Sequence, residues 1–287
     1  PRAGNIGGDG FMLVHDAKSG EQVFFDFRSV APKAATLAMF VDNQGRESEI
    51  AGRGYLAPSV PGTVAGLHMA HKKYGKLSWS DVVSPAIALA RDGVVLTPDE
   101  AFVFGWGKER LSTSAAAKAA YYKPDGALYR AGERLKQPDL AWTLTQIAKR
   151  GADGFYKGPV ADRFAADMKA NGGLITTEDL AAYRAIERKP LRGTYRGLDI
   201  VTAPPASAGG ATLLNMLNIV ENFDLKQNGV GAAKSLHIMA EAMKLGYADR
   251  YAVLGDTDFV TTPIKGFISK SYALSRAKLI DPDKAKP

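Results

Sequence analysis

One string, Phe24-Phe25-Asp26-Phe27-Arg28, limits this chain more than any other. A run rich in aromatic residues and bounded by polar ones reads as a β-strand. Arg28 therefore closes an aromatic strand. A guanidinium in that place has two uses: a salt bridge to a fixed acidic neighbour, or a seat for a carboxylate ligand. Both draw on the same chemistry, because the planar fork matches a carboxylate bidentately and stays charged at any working pH. The string alone leaves both uses open. It follows a glycine-rich turn, Gly7-Gly8-Asp9-Gly10, and a short apolar run, Phe11-Met12-Leu13-Val14. Together these read as a turn and a β-hairpin, with strands at 11–15 and 22–27 joined through Lys18-Ser19-Gly20.

The remainder of the chain is mostly helical. Residues 33–60 are polar and glycine-punctuated and read as a long surface excursion. Pro61-Gly62-Thr63 opens a helix that Thr63 caps and Gly75 ends. Ser80 begins a second helix, which runs to about Arg91 and stops at Asp92-Gly93. Residues 99–173 are helix-rich, with segments at 139–149 and 159–169 and a stop at Asn171-Gly172-Gly173. Thr176-Thr177-Glu178-Asp179-Leu180 starts a short helix. Residues 190–201 form another hairpin that turns at Arg196-Gly197, and helices follow at 210–221 and 232–253, the last being the longest. Strands and helices mix without βαβ alternation, so the fold class is α+β. The strands are few for 287 residues. A sheet built only from them is thin, and strands from elsewhere are expected to complete it. With no repeat, low-complexity tract or linker, residues 1–287 read as a single domain.

Composition excludes several functions. The 37 Lys and Arg against 30 Asp and Glu give a net charge of +7, but the basic residues are scattered and no nucleic-acid motif accompanies them. No nucleic-acid partner is expected. The longest uncharged stretch, 201–220, contains Pro204-Pro205 and Gly209-Gly210 and is not a membrane span. There is no cysteine, which removes disulfides, thiolate metal sites and a cysteine nucleophile but leaves the compartment open. No signal peptide is visible, and a start at Pro1 reads as processed or truncated.

The local motifs carry little chemistry of their own. The Gly7–Gly10 turn has the wrong spacing for a dinucleotide loop, and a strand follows it. It reads as a tight turn needing positive φ, or as a close approach of backbone to a ligand. His68 and His71 are spaced i, i+3 but lack a third ligand. Asp256-Thr257-Asp258 lacks the glycine and terminal glutamate of a calcium loop. No metal or cofactor is expected. There is no Gly-x-Ser-x-Gly elbow. Glu241 and the Asp249-Arg250 pair read as structural salt bridges, and residues 204–210 as a rigid strand-to-helix connection.

Taken in order, the strings resemble the γ-glutamyltransferase family, also called glutathione hydrolases. The matching pieces are Gly7-Gly8-Asp9-Gly10-Phe11, Asp26-Phe27-Arg28, Pro61-Gly62-Thr63-Val64-Ala65-Gly66, Phe155-Tyr156-Lys157-Gly158 and Gly172-Gly173-Leu174-Ile175-Thr176. They continue with Glu178-Asp179-Leu180, Pro204-Pro205, Gly209-Gly210, Ala240-Glu241-Ala242, Tyr247-Ala248-Asp249-Arg250 and Leu254-Gly255-Asp256. Asp9, in place of a fourth glycine, and Ala208, in place of a small polar residue or glycine, depart from the family pattern.

The resemblance implies an N-terminal nucleophile hydrolase with an αββα sandwich, formed when a precursor cuts itself into a large and a small subunit. This chain is similar to the large subunit without its opening segment. The resemblance then implies that the nucleophilic threonine and the oxyanion hole lie on the small subunit, and no catalytic residue is assigned here. It gives Arg28 the role of binding the α-carboxylate of the γ-glutamyl donor, which favours the ligand explanation for that residue. The implied partners are the small subunit, glutathione or another γ-glutamyl donor, and an amino acid, a peptide or water as acceptor. The implied location is periplasmic or secreted. Two other readings are a β-lactam side-chain acylase on the same scaffold and a non-catalytic structural or binding subunit.

Overall fold

The computed structural model describes residues 5–229 and 231–286. The chain runs through β1 (Gly10–His15), β2 (Gln22–Phe27), α1 (Thr63–Tyr74), α2 (Trp79–Asp92), β3 (Val94–Val95), α3 (Pro98–Trp106), α4 (Lys108–Ser112), α5 (Ala115–Tyr121) and β4 (Arg134–Leu135). It continues with α6 (Pro138–Arg150), α7 (Asp153–Tyr156), α8 (Pro159–Ala170), α9 (Thr177–Ala182), β5 (Ile186–Arg188), β6 (Leu191–Tyr195) and β7 (Leu198–Thr202). The last elements are α10 (Ala208–Val220), α11 (Leu225–Asn228), α12 (Ala233–Val253), α13 (Ile264–Phe267) and α14 (Lys270–Ala277). Helix and strand are mixed as expected of an α+β chain. Among the described residues no sheet exceeds three strands: one has the order β1-β2-β5, and β3-β4 and β6-β7 are two-stranded. Contacts divide the chain into two compact units. One holds the segment ending at Gly10 together with Phe27–Ile186, and the other holds Phe11–Asp26 and the chain from Glu187 onward.

In the first unit, α1, α6, α7, α8 and α9 bury one cluster built on Val64, Ile147, Phe155, Tyr156, Val160, Met168 and Leu180. Two helix starts differ from the sequence reading. Gly62, not Thr63, is the cap residue of α1, and Thr63 is its first, buried residue. Ser78 accepts the Asp81 N–H at 3.1 Å and so starts α2 at Trp79, one residue before Ser80. Helix α9 has a full capping box, with Thr176 Oγ1 accepting from Asp179 N–H and Asp179 accepting from Thr176 N–H. The other oxygen of Asp179 accepts the Lys33 N–H at 2.9 Å, tying the 33–60 excursion to this helix. That excursion carries two short 3₁₀ turns, Leu37–Met39 and Glu49–Ala51, and is closed at its base by a Val30–Val60 bridge.

The second unit contains both expected hairpins. Asp16 and Gly20 close the first, with Gly20 N–H donating to the Asp16 carbonyl at 2.8 Å. In the second, Leu191 to Tyr195 pair with Thr202 to Leu198. Arg196 (φ 49°) and Gly197 (φ 81°) make the turn, a two-residue connection that needs positive φ at both positions. β6 packs closely on α10: a Cβ at Gly193 would stand 2.7 Å from Leu214 Cδ2. Ile219, Val220, Ala242, Ala273, Ala277 and Ile280 form this unit's apolar cluster. The short β5 was not expected, since nothing in Ile186–Arg188 alternates over enough residues to read as a strand.

Two helical glycines have opposite surroundings. A Cβ at Gly66 would meet Phe27 Cγ at 2.0 Å, whereas a Cβ at Gly105 has nothing within 4 Å. Gly66→Ala is expected to destabilise the protein by about 2 kcal/mol or more through overpacking. Gly105→Ala should be neutral or stabilise it by about 0.5 kcal/mol. Urea unfolding monitored by circular dichroism checks both.

Candidate functional site

Arg28 is exposed and lies one residue beyond the end of β2. Its position is built from below by Phe27, a buried residue of the same unit. The Phe27 ring occupies the space over α1 that a side chain at Gly66 would take, and also lies 2.8 Å from where a Gly10 Cβ would stand. At Gly62 a Cβ would come within 2.0 Å of the Phe27 carbonyl oxygen and 2.1 Å of the Tyr183 hydroxyl. The glycines of Pro61-Gly62-Thr63-Val64-Ala65-Gly66 therefore let the strand end sit directly on the start of α1.

Tyr183 holds the next peptide. Its hydroxyl donates to the Arg28 carbonyl at 2.9 Å. The Tyr183 ring stacks on Tyr156, with centroids 5.5 Å apart and planes 10° from parallel. The Tyr156 hydroxyl donates to the Pro61 carbonyl at 2.8 Å and accepts the Ala65 N–H at 3.3 Å. Burial pushes the Tyr156 phenol well above its ordinary range, so it serves as a neutral hydrogen-bonding group. On the other side, Asp9 Oδ2 accepts from both the Ser29 N–H, at 2.9 Å, and the Ser29 hydroxyl, at 2.6 Å.

The glycine-rich turn is thus a docking surface. The Gly8 carbonyl accepts from Gly62 N–H at 2.9 Å and Thr63 N–H at 3.1 Å. The expectation of positive φ fails: Gly7, Gly8 and Gly10 are not among the glycines with positive φ. Close approach to Phe27 explains Gly10, whereas a Cβ at Gly7 or Gly8 would meet only Asn5, at 3.4 Å.

Asp26, the acid of the string, is committed within the second unit. It is buried, and Arg188 Nε donates to its Oδ2 at 2.8 Å. The remaining two nitrogens of Arg188 grip Asp258 bidentately, Nη1 to Oδ1 at 2.9 Å and Nη2 to Oδ2. Asp258 first and Asp26 second hold the Arg188 guanidinium charged beyond its ordinary range. Arg188 in turn holds the Asp258 carboxyl below its usual value. Asp258, the last residue of the calcium-like fragment, is an ion-pair partner here. Sequence reasoning missed Arg188, since its partner Asp26 is 162 residues away and no local pattern links them.

The other candidates have structural contacts. His68 and His71 both pack edge-on against Trp79, at 4.9 and 5.2 Å between centroids. His68 Nδ1 accepts the Ala152 N–H, and burial, helped by Lys72 and His71, pushes its pKa down. Among the described residues no group of three or more His, Cys, Asp or Glu is placed to hold a metal ion. Glu241 pairs with Lys244 and Asp249 with Arg276, each at 2.7 Å. Arg250 lies instead over the rings of Tyr247 and Tyr251. A Cβ at Gly210 would stand 2.1 Å from the Ala203 carbonyl oxygen, so the 204–210 connection needs that glycine for packing. None of the described helices is long and apolar enough to cross a membrane.

Arg188→Ala is expected to cost about 3 kcal/mol, because it strips the guanidinium from a buried carboxylate. The Asp258 contribution has a defined sign. Its folded-state pKa is depressed, so its stabilisation is fully present above the unfolded value of about 4 and is lost as pH falls through the lower folded value. Asp258→Asn should therefore flatten the loss of stability as pH falls below about 4, as read by urea unfolding across that range.

Comparison with known proteins adds a family. A family model described as gamma-glutamyltranspeptidase matches residues 1–287. A glutathione hydrolase proenzyme of Escherichia coli (strain K12) is 47% identical over 289 residues, covering 100% of this chain and 50% of that protein. An acylase ACY 1 proenzyme of Pseudomonas sp. (strain SE83) is 37% identical, covering 93% of this chain and 49% of that protein. Among solved structures, a Helicobacter pylori gamma-glutamyltranspeptidase superposes with a TM-score of 0.96 at 45% identity, covering 99% of this chain and 82% of that chain. The chain spans about half the length of the curated relatives it matches.

Proposed function

The chain belongs to the gamma-glutamyltranspeptidase family, and from that premise we propose that it is the substrate-anchoring part of a γ-glutamyl hydrolase or transferase. The observation that carries this reading is an exposed Arg28 on a strand end seated against α1. Its fork receives the α-carboxylate of the donor, glutathione or a related γ-glutamyl compound.

The second half of such a precursor, a small subunit, supplies the chemistry. Its N-terminal threonine hydroxyl attacks the γ-amide carbon, with its own α-amino group taking the proton and passing it to the leaving amine. Backbone donors on that partner hold the oxyanion. Water or the amino group of an amino acid or peptide then attacks the ester and releases the glutamyl group. Arg28 fixes the far end of the donor so that the γ-amide carbonyl carbon meets the nucleophile, which is the kind of orientation that lowers a barrier without touching the reacting bond. The small subunit's strands complete the thin sheets. The periplasm or the exterior of the cell is the proposed location.

In the processed two-chain enzyme, Arg28→Ala is expected to lower kcat/KM for a γ-glutamyl anilide by about 2–4 kcal/mol in transition-state terms. Arg28→Lys should restore only part of that, since a point charge replaces a fork. Unchanged kinetics in folded Arg28→Ala enzyme would remove Arg28 from the site. The 37% identity to an acylase favours a second reading, β-lactam side-chain acylation or deacylation. Parallel assays on γ-glutamyl anilide and a glutaryl-cephalosporin separate the two. Failure of both donors with correctly cleaved enzyme would leave a non-catalytic binding subunit.

A further inference from the structure

The peptide group that joins Arg28 to Ser29 is held at both of its polar ends by side chains. Its carbonyl accepts the Tyr183 hydroxyl at 2.9 Å, and its N–H donates to Asp9 Oδ2 at 2.9 Å. A peptide unit is planar, so fixing its C=O and its N–H together fixes the plane. With the Phe27 carbonyl seated against Gly62 on the preceding side, little freedom is left to the Arg28 backbone. Neither holding residue is itself loosely placed. The Tyr183 ring is stacked on Tyr156, whose hydroxyl is bonded to Pro61 and Ala65. Asp9 follows Gly8, whose carbonyl is bound to two N–H groups at the start of α1. The serine at position 29 adds its own hydroxyl to the same oxygen of Asp9, at 2.6 Å.

We propose that Asp9 and Tyr183 are positioning residues that fix the Arg28–Ser29 peptide plane and thereby aim the Arg28 guanidinium at the donor carboxylate. The proposal rests on the reading of Arg28 as the carboxylate anchor. Asp9 is the residue that interrupts the glycine run, and the structure gives it work that a glycine there has no side chain to do. The geometry separates this role from that of a general stabiliser. A residue that only holds the fold affects every donor and every background. A residue that acts through the Arg28 backbone affects donor binding only while Arg28 is there to use it.

The test is a cycle in the processed two-chain enzyme with a γ-glutamyl anilide donor, reading KM and kcat separately. Tyr183→Phe keeps the ring and removes the donated hydrogen bond; it is expected to raise donor KM about five-fold with kcat within about two-fold. Asp9→Ala removes a charge-assisted acceptor and should raise KM about ten-fold. Asp9→Asn keeps an acceptor of the same shape and should recover most of that loss. In an Arg28→Ala background, Tyr183→Phe should add less than two-fold, because there is no guanidinium left to aim. Thermal unfolding of each variant checks that it is folded, and Asp9→Asn against Asp9→Ala keeps the question answerable if one variant is not. The inference is overturned if Arg28→Ala raises donor KM while Tyr183→Phe and Asp9→Ala do not. It is equally overturned if their effects persist at full size without Arg28. If Arg28→Ala itself leaves KM unchanged, the anchor reading fails first and takes this inference with it.

Discussion

The seating of Phe27 on the first turn of α1 is the contact on which the rest of the candidate site depends. Two glycines make it possible, because side chains at Gly62 and Gly66 would overlap the Phe27 backbone and ring at 2.0 Å. Close packing of this kind is unforgiving: interiors are dense, and a backbone that rests on another backbone has no flexible side chain to absorb an error. The gain is definition. With Phe27 in place, the next carbonyl falls within reach of Tyr183 and the next N–H within reach of Asp9. The order Pro61-Gly62-Thr63-Val64-Ala65-Gly66 is therefore as much a part of Arg28's placement as the strand that carries it.

The charges of the string divide their duties. Asp26 is buried and answers to Arg188, which spans it and Asp258 with one planar fork. That arrangement uses the property that distinguishes arginine from lysine, several donors fixed in a plane. Arg28, two residues along, is exposed. The structure joins the acid to an arginine from β5.

Much of this was legible in the residues. Both hairpins, the long α12 and the stop signals at Gly75, Gly93 and Gly172 follow from alternation, turn chemistry and capping. Arg28 stood out because an arginine that ends an aromatic run needs an explanation. What could not be read has a common cause, sequence distance. The Tyr183 hydroxyl reaches a carbonyl 155 residues away, and Arg188 reaches an aspartate 162 residues away. No periodicity encodes either meeting. Thr63 gave a false cap because the same short sequence satisfied a propensity rule while Gly62 answered a packing demand. The Gly7–Gly10 turn misled in the same way: Gly10 was explained by φ when the reason was the space Phe27 takes.

A backbone clamp suits an arginine anchor better than a side-chain clamp. Residues that grip the guanidinium directly would occupy the donors a ligand carboxylate needs, and would lower affinity by competing with it. Holding the peptide plane fixes where the side chain begins. Part of the rotamer entropy of a long side chain is still lost when the ligand binds, but the search starts from one Cα position and one direction. In the proposed reaction the bound carboxylate is separated from the reacting amide carbon by the α-carbon and two methylenes. A shift at the anchor is then passed along a short tether to the bond being broken. In that proposal, definition at the Arg28–Ser29 peptide is a means of spending binding energy on orientation, and it falls to a segment that has no part in the bond-making itself.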